Sequence, residues 1–164
     1  MRFLRARYFG MMLVLASLFA TAVVADNPGP GKKSDSVVKV TATPEKPDAN
    51  GKQVVALKID VSRGWHIYAN PVGDATLEPN ATTVKVAGKG KPKLIHVDYP
   101  DGKLMQESIA GTTVAYRIYE GTVTIKATIQ RMANDTEPLA FAIELNACKE
   151  GKCLMPGVVR LTVP

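Results

Sequence analysis

Four stretches of the chain alternate apolar and polar residues with a period of two. Val55, Leu57, Ile59 and Val61 alternate with Ala56, Lys58 and Asp60, and Val123, Ile125, Ala127 and Ile129 alternate with Thr124, Lys126 and Thr128. Phe141, Ile143 and Leu145 repeat the pattern, as do Val159, Leu161 and Val163. Successive side chains of a strand point to opposite faces, so each run predicts a strand with one face buried and one wet. Between the runs lie turn-forming sequences at 47–51, 88–92, 100–102, 120–121 and 133–136, rich in Pro, Gly, Asn and Asp. No stretch places apolar residues at helical spacing, and there is no internal repeat. Eight or nine short strands in about 125 residues predict an all-β fold, an immunoglobulin-like antiparallel β-sandwich, with a small barrel as the alternative. Such an architecture leaves the function open.

The N-terminus breaks the pattern. Arg2, Arg5 and Arg7 precede an apolar run from Met11 to Val24, and Val23-Val24-Ala25 supplies small residues for cleavage. This reads as a signal peptide, residues 1–25, cut after Ala25; an uncleaved anchor helix is the alternative, but the run is short for a span of about 20 residues. The protein is therefore expected to be exported, and periplasmic in a bacterium. Residues 26–35 are polar and rich in Gly and Pro and read as a flexible leader, leaving 36–164 as one domain with a proper core. The whole chain has a formal charge of +6, but without residues 1–25 the balance is 18 basic to 15 acidic residues, or +3. Lys89, Lys91 and Lys93 lie in a turn-rich stretch with no interleaved aromatic residues, so no nucleic-acid partner is expected.

Candidate chemistry concentrates at Cys148 and Cys153, the only two cysteines. Three readings compete: a redox-active pair, a structural staple and half of a metal site. Closing a six-residue loop stabilises a fold by only about 2 kcal/mol, against about 4.7 for a 100-residue loop, so a staple here achieves little. Gly151 lets the backbone turn back and brings the two Cα atoms within the roughly 4.4–6.8 Å a disulfide requires. A zinc site would have to recruit His66 and His96, and a copper(I) site His66, Met105 and Met155. Neither histidine has a second ligand at short spacing, and His96 falls in the strand-like run Leu94–Asp98. Lys149 and Lys152 favour a thiolate nearby, while Glu150 opposes it. Leu154, Met155 and Pro156 offer an apolar surface to a docking partner, or ordinary packing.

The segment NACKEGKCLMPGVVRLTVP (146–164) resembles the end of the N-terminal periplasmic domain of DsbD, the thiol:disulfide interchange reductase family. GWHIYANPVG (64–73), YPDGKLMQESIAG (99–111) and VAYRIYEGTVTIKATI (114–129) resemble its upstream strands and turns, so the likeness covers about residues 36–164. The resemblance implies an immunoglobulin-like fold without cofactor or metal, in which Cys148 and Cys153 are the exchanging pair. It places Tyr68 beside them, His66 where a second tyrosine is usual, and Glu107 in a loop that caps the disulfide. In that cap Ile109 and Ala110, before Gly111, stand where the family presents aromatic residues. The implied activity is that of a protein-disulfide reductase. Electrons come from a thioredoxin-like or DsbD-type membrane reductase and go to a periplasmic disulfide isomerase or another oxidoreductase. The chain ends at Pro164, so those partners are expected on other polypeptides. Exchange would run through a mixed disulfide, with Cys153 as the attacker and His66 or Glu107 moving protons. Tyr68 and Trp65 could equally be packing residues. The competing function is a non-enzymatic immunoglobulin-like interaction domain with a structural disulfide, with a metal carrier behind it. The redox reading requires the cysteines to face each other on adjacent strands at an end of the sandwich, with residues 104–111 over or beside them.

Overall fold

The computed structural model describes residues 31–109 and 111–164. The signal-peptide reading of residues 1–25 and most of the proposed leader lie outside the described residues. Among the described residues twelve strands follow one another. They are β1 (Val38–Pro44), β2 (Lys52–Val61), β3 (His66–Tyr68), β4 (Thr83–Ala87), β5 (Lys93–Asp98) and β6 (Lys103–Ile109). The second half holds β7 (Thr112–Glu120), β8 (Thr122–Gln130), β9 (Leu139–Leu145), β10 (Ala147–Lys149), β11 (Lys152–Cys153) and β12 (Gly157–Val163). The excess over the eight or nine expected comes from β3, β10 and β11, which are two or three residues long. A strand that short cannot display a period.

The strands form three antiparallel sheets, ordered β1-β2-β8-β5, β11-β10-β3-β7-β6 and β12-β9-β4. Each retains open edges, which makes the fold an immunoglobulin-like sandwich and excludes a closed barrel. The four alternating runs supply its centre. Val55, Leu57 and Ile59 of β2 and Ile125, Ala127 and Ile129 of β8 meet Leu139, Phe141, Ile143 and Leu145 of β9, all at most 3% exposed. Burying side chains of this kind stabilises the fold by roughly 1.5–3 kcal/mol each. Trp65 packs against this core as well.

The five-stranded sheet departs from the expected one-wet-face pattern. Ile67 of β3, Tyr119 of β7 and Ala147 of β10 enter the main core, while Tyr68, Ile118 and Cys148 enter a second apolar cluster on the opposite face. Residues 70–82 create that second interior by folding across the outer face of the sheet. The crossing is held by polar contacts. Thr82 donates its hydroxyl to the Tyr68 carbonyl (2.7 Å), Asn70 donates to the Thr82 carbonyl (3.0 Å), and the Arg117 amide donates to the Val72 carbonyl (2.7 Å).

The folded domain also begins before residue 36, correcting the leader boundary. Ser34 is fully buried in a 3-10 turn, Ser34–Val37. Its hydroxyl accepts from the Ala147 amide (2.9 Å) and donates to the Met155 carbonyl (2.8 Å). Gly157 leaves the room this turn needs, since a Cβ there would collide with the Asp35 backbone. Composition alone could not reveal that one hydroxyl ties together the two segments flanking the cysteines.

Candidate redox site at the Cys148–Cys153 hairpin

Strands β10 and β11 form a hairpin in which Cys148 pairs with Cys153 and Lys149 with Lys152. Only Glu150 and Gly151 remain for the turn, and both take positive φ, 48° and 73°. A two-residue turn with both residues left-handed matches the twist of the strands it joins. Gly151 adopts this conformation freely, whereas Glu150 is held there by the pairing on either side. The Leu154 amide donates to the Ala147 carbonyl (2.9 Å), just beyond the cysteines. Cys148 and Cys153 thus face each other between hydrogen-bonded positions, where antiparallel strands approach most closely. Their Cα atoms are 4.0 Å apart and the sulfurs are bonded. This is slightly closer than the range expected from the sequence.

The two sulfurs sit in different surroundings. Cys148 is 3% exposed, whereas Cys153 lies exposed on the last strand of the five-stranded sheet. Cys148 packs with Tyr68, Val72, Tyr116 and Ile118, and Leu77, Ala81, Met105 and Val114 border the group. The register explains the grouping. Cys148 pairs with His66, His66 with Glu120, and Tyr68 with Ile118, so these side chains share one sheet face. The Tyr68 hydroxyl lies 3.8 Å from Cys148 Sγ and acts as the donor, because a disulfide sulfur carries no hydrogen. Tyr68 in turn contacts Tyr116, with ring centroids 5.8 Å apart, and meets the edge of His66 at 6.2 Å.

Burial sets the electrostatics. It pushes the Tyr68 phenol above its usual range, and the Glu107 carboxylate adds to the effect. Tyr116 is pushed up to about 12, first by burial and then by Glu107 beside its hydroxyl. Both phenols therefore remain hydrogen-bond donors near neutral pH. Burial lowers the His66 pKa, against an opposing pull from Glu120 and Glu107, and Lys103 lowers it further.

The structure thus gathers Cys148, Cys153, Tyr68 and His66 from three strands, while Glu107 lies on strand β6 at the far edge of the sheet, not in a loop over the disulfide, and acts on Tyr68, Tyr116 and His66. Trp65 is not among them, since it belongs to the main core behind the sheet. His96 is exposed on β5, in a different sheet. Among the described residues no three His, Cys, Asp or Glu side chains converge. Of segment 104–111, Met105 borders the cluster and Glu107 bears on its tyrosines. Ile109 ends β6 opposite Thr112, with its side chain outside the described residues, and Ala110 lies outside them altogether. Gly111 is exposed at the hairpin tip, with φ 81° and open space where a Cβ would stand. The sequence reading missed Tyr116 and the apolar border supplied by Val72, Leu77 and Ala81. The Val114-Tyr116-Ile118 alternation marked a buried face but not what it would touch.

A search of curated proteins returns no match. The protein-family description "Thiol:disulfide interchange protein DsbD, N-terminal" matches residues 33–163. Among solved structures, the N-terminal domain of DsbD from Neisseria meningitidis, in its reduced form, is similar with a TM-score of 0.50 at 13% identity. The match covers 80% of this chain and 88% of that one. The N-terminal periplasmic domain of ScsB from Proteus mirabilis is similar with a TM-score of 0.50 at 15% identity, over 76% of this chain and 45% of that one. At such identities these structures establish the shared fold.

Proposed function

Because the chain belongs to the family of DsbD N-terminal domains, we propose that it is an exported thiol-disulfide carrier whose exchanging bond is Cys148–Cys153. The observation that carries this reading is the unequal exposure of the two cysteines. An incoming thiolate attacks the exposed Sγ of Cys153 and forms a mixed disulfide. The bond to Cys148 breaks, and Cys148 leaves as a thiolate. The Tyr68 hydroxyl, already beside Cys148 Sγ, donates to the developing charge and stabilises it. A second thiol of the partner then displaces Cys153, leaving the domain reduced. The reverse sequence, with Cys153 attacking, passes the electrons to the next disulfide. His66 and Glu107 would exchange protons with the sulfurs, and Ile109, Ala110 and Gly111 would cap them with an aliphatic side chain in place of a ring.

The partners that fit this role are a thioredoxin-like or DsbD-type membrane reductase upstream and a periplasmic disulfide isomerase or related oxidoreductase downstream. Single-cysteine variants test the assignment. Cys148→Ser keeps the exposed thiol and should trap mixed disulfides with exported thioredoxin-like proteins, whereas Cys153→Ser should trap few or none. Equal trapping by both variants, or by neither, would overturn the division of roles. A reduction potential below about −300 mV, the range of structural disulfides, would count against exchange altogether.

A further inference from the structure

Cys153 lies on a hairpin flanked by cations, of which Lys149 and Lys152 alternate with the cysteines and so project from the opposite face of the hairpin. Lys149 and Lys152 stand directly opposite each other on the hairpin, an arrangement that costs stability because like charges face across the strands. The Lys149 side chain runs along the neighbouring turn, bringing its Nζ within 3.3 Å of where a Cβ on Gly64 would be, beside exposed Arg63. On the other flank the chain before the 3-10 turn pairs with the segment following Cys153. Lys33 bridges to Met155, the Met155 amide donates to the Lys32 carbonyl (3.3 Å), and both lysines are exposed. Among the described residues the ion pairs are Lys58–Asp60, Lys85–Glu144, Lys103–Glu120 and Arg131–Asp135, and they involve none of these five cations. The nearby anions are Glu150 at the turn and Asp35 beside Gly157. Glu120 is neutralised by Lys103 (2.9 Å), and Glu107 lies away from the β11 edge, beside Tyr116.

We infer that Lys32, Lys33, Arg63, Lys149 and Lys152 form a cationic rim around Cys153 that selects partners carrying carboxylates around their reactive thiol. This rests on the exchange reading above and adds the charge of the partner to it. Clustered charge of one sign raises the arrival rate of the opposite sign by ten-fold or more at low ionic strength. The like-charge pair on the hairpin thus has a role that stability does not explain.

Small thiols test the rim without a protein partner. The probes are 2-mercaptoethanesulfonate, 2-mercaptoethanol and cysteamine, which are anionic, neutral and cationic in the group beside the sulfur. In each case one thiolate attacks Cys153 Sγ and releases the Cys148 thiolate, which takes a proton from water. A second thiolate attacks the probe sulfur of the mixed disulfide, giving the probe disulfide and reduced Cys153. Rates for the native protein are compared per thiolate. At low salt the anionic probe should react about tenfold faster than the cationic one, and the ratio should fall to within about twofold in 1 M salt, where the screening length is about 3 Å. Lys149→Gln with Lys152→Gln should reduce the ratio, and Lys149→Glu with Lys152→Glu should bring it to one or below. Because the readout is a ratio, a change in intrinsic sulfur reactivity cancels. Equal rates for all three probes at low salt would overturn the rim while leaving exchange intact. Failure of even the neutral thiol to reduce the native protein would overturn exchange itself.

Discussion

The two ends of the β2–β8 ladder, roughly 27 Å apart along the strands, are fastened in opposite ways. At the Lys52–Gln130 end the fastening is polar and buried. Arg131, 5% exposed, donates to the Gln53 side chain (3.0 Å) and to the Glu137 carbonyl, and its Nε lies 3.4 Å from Asp135 Oδ2. The Arg131 amide donates to the Gly51 carbonyl, and Gly90 approaches Asp135 so closely that no Cβ would fit. The Arg131 side chain thus ties the start of β2 to its own loop, and Asp135 of that loop in turn lies against Gly90. At the Asp60–Thr122 end, near β3 and β10, the fastening is covalent, yet it joins residues the hairpin already places opposite each other and leaves one sulfur exposed. A group that serves stability is enclosed and joins distant parts of the chain. The disulfide does neither, which is what a bond meant to open requires.

The largest effect should come from the polar end. Arg131→Ala leaves the Asp135 carboxylate buried without its partner, and breaking a pair of this kind costs about 3–5 kcal/mol. Urea denaturation of the oxidised protein measures it. Reducing Cys148–Cys153 should cost less, about 2 kcal/mol, because the closed loop is so short. The reduced domain should then melt cooperatively with its fold intact. If reduction destabilised the protein more than Arg131→Ala, the contrast between the two ends would be reversed and the disulfide would be a staple.

That contrast was only partly legible in the sequence. The alternating runs of β2, β8, β9 and β12 announced the main core, because a half-buried strand writes its environment into every second residue. The cysteine hairpin was readable from Gly151 and the short spacing. The environment of Cys148 was not, because it depends on β10 pairing with β3 and β3 with β7, elements far apart in the chain. Tyr116 reaches the site only through that order, and Val72, Leu77 and Ala81 only because residues 70–82 cross the sheet. Arg131, a cation just past the β8 run, carries no local mark of burial. Its burial follows from loops closing over it, which no local pattern records. The family resemblance named Tyr68, His66 and Glu107 without supplying what relates them, which is a shared face of the five-stranded sheet.

A smaller effect should follow from Tyr68→Phe. The ring keeps its packing against Tyr116 while the hydroxyl 3.8 Å from Cys148 Sγ is lost. A charge-assisted hydrogen bond favours the ionised form of its acceptor. In the reduced protein the Cys148 pKa should therefore rise, by about one unit if the lost bond is worth about 1.4 kcal/mol to the thiolate. Titrating thiolate absorbance in the Cys153→Ser background, with and without Tyr68→Phe, isolates Cys148. An unchanged titration would mean that the hydroxyl serves packing alone. No equivalent change is expected from Arg131→Ala, so the two ends would also separate in what they control, stability at one and sulfur chemistry at the other.

The smallest effect concerns pH and His66, which pairs with both Cys148 and Glu120 in register. Burial lowers its pKa in the folded protein, with Glu120 and Glu107 pulling the other way and Lys103 adding to the lowering. An unfolded histidine titrates near 6.5. Between that value and the lower folded value, the unfolded chain binds a proton that the folded chain refuses. Stability from this site is therefore fully present above about pH 6.5 and falls as the pH drops towards the folded pKa, below which the loss is constant. His66 is only half-buried, so solvent screening keeps the change well below the 2 kcal/mol expected for the disulfide. Comparing urea midpoints at pH 7 and pH 5 for the native protein and for His66→Gln isolates it. The native protein should lose more stability on acidification than the variant, because only it acquires this proton on unfolding. An identical loss in both would remove His66 from the titrating groups of the sulfur end. A larger loss in the variant would mean that Glu120 and Glu107 outweigh burial, and that His66 is held protonated beside the disulfide.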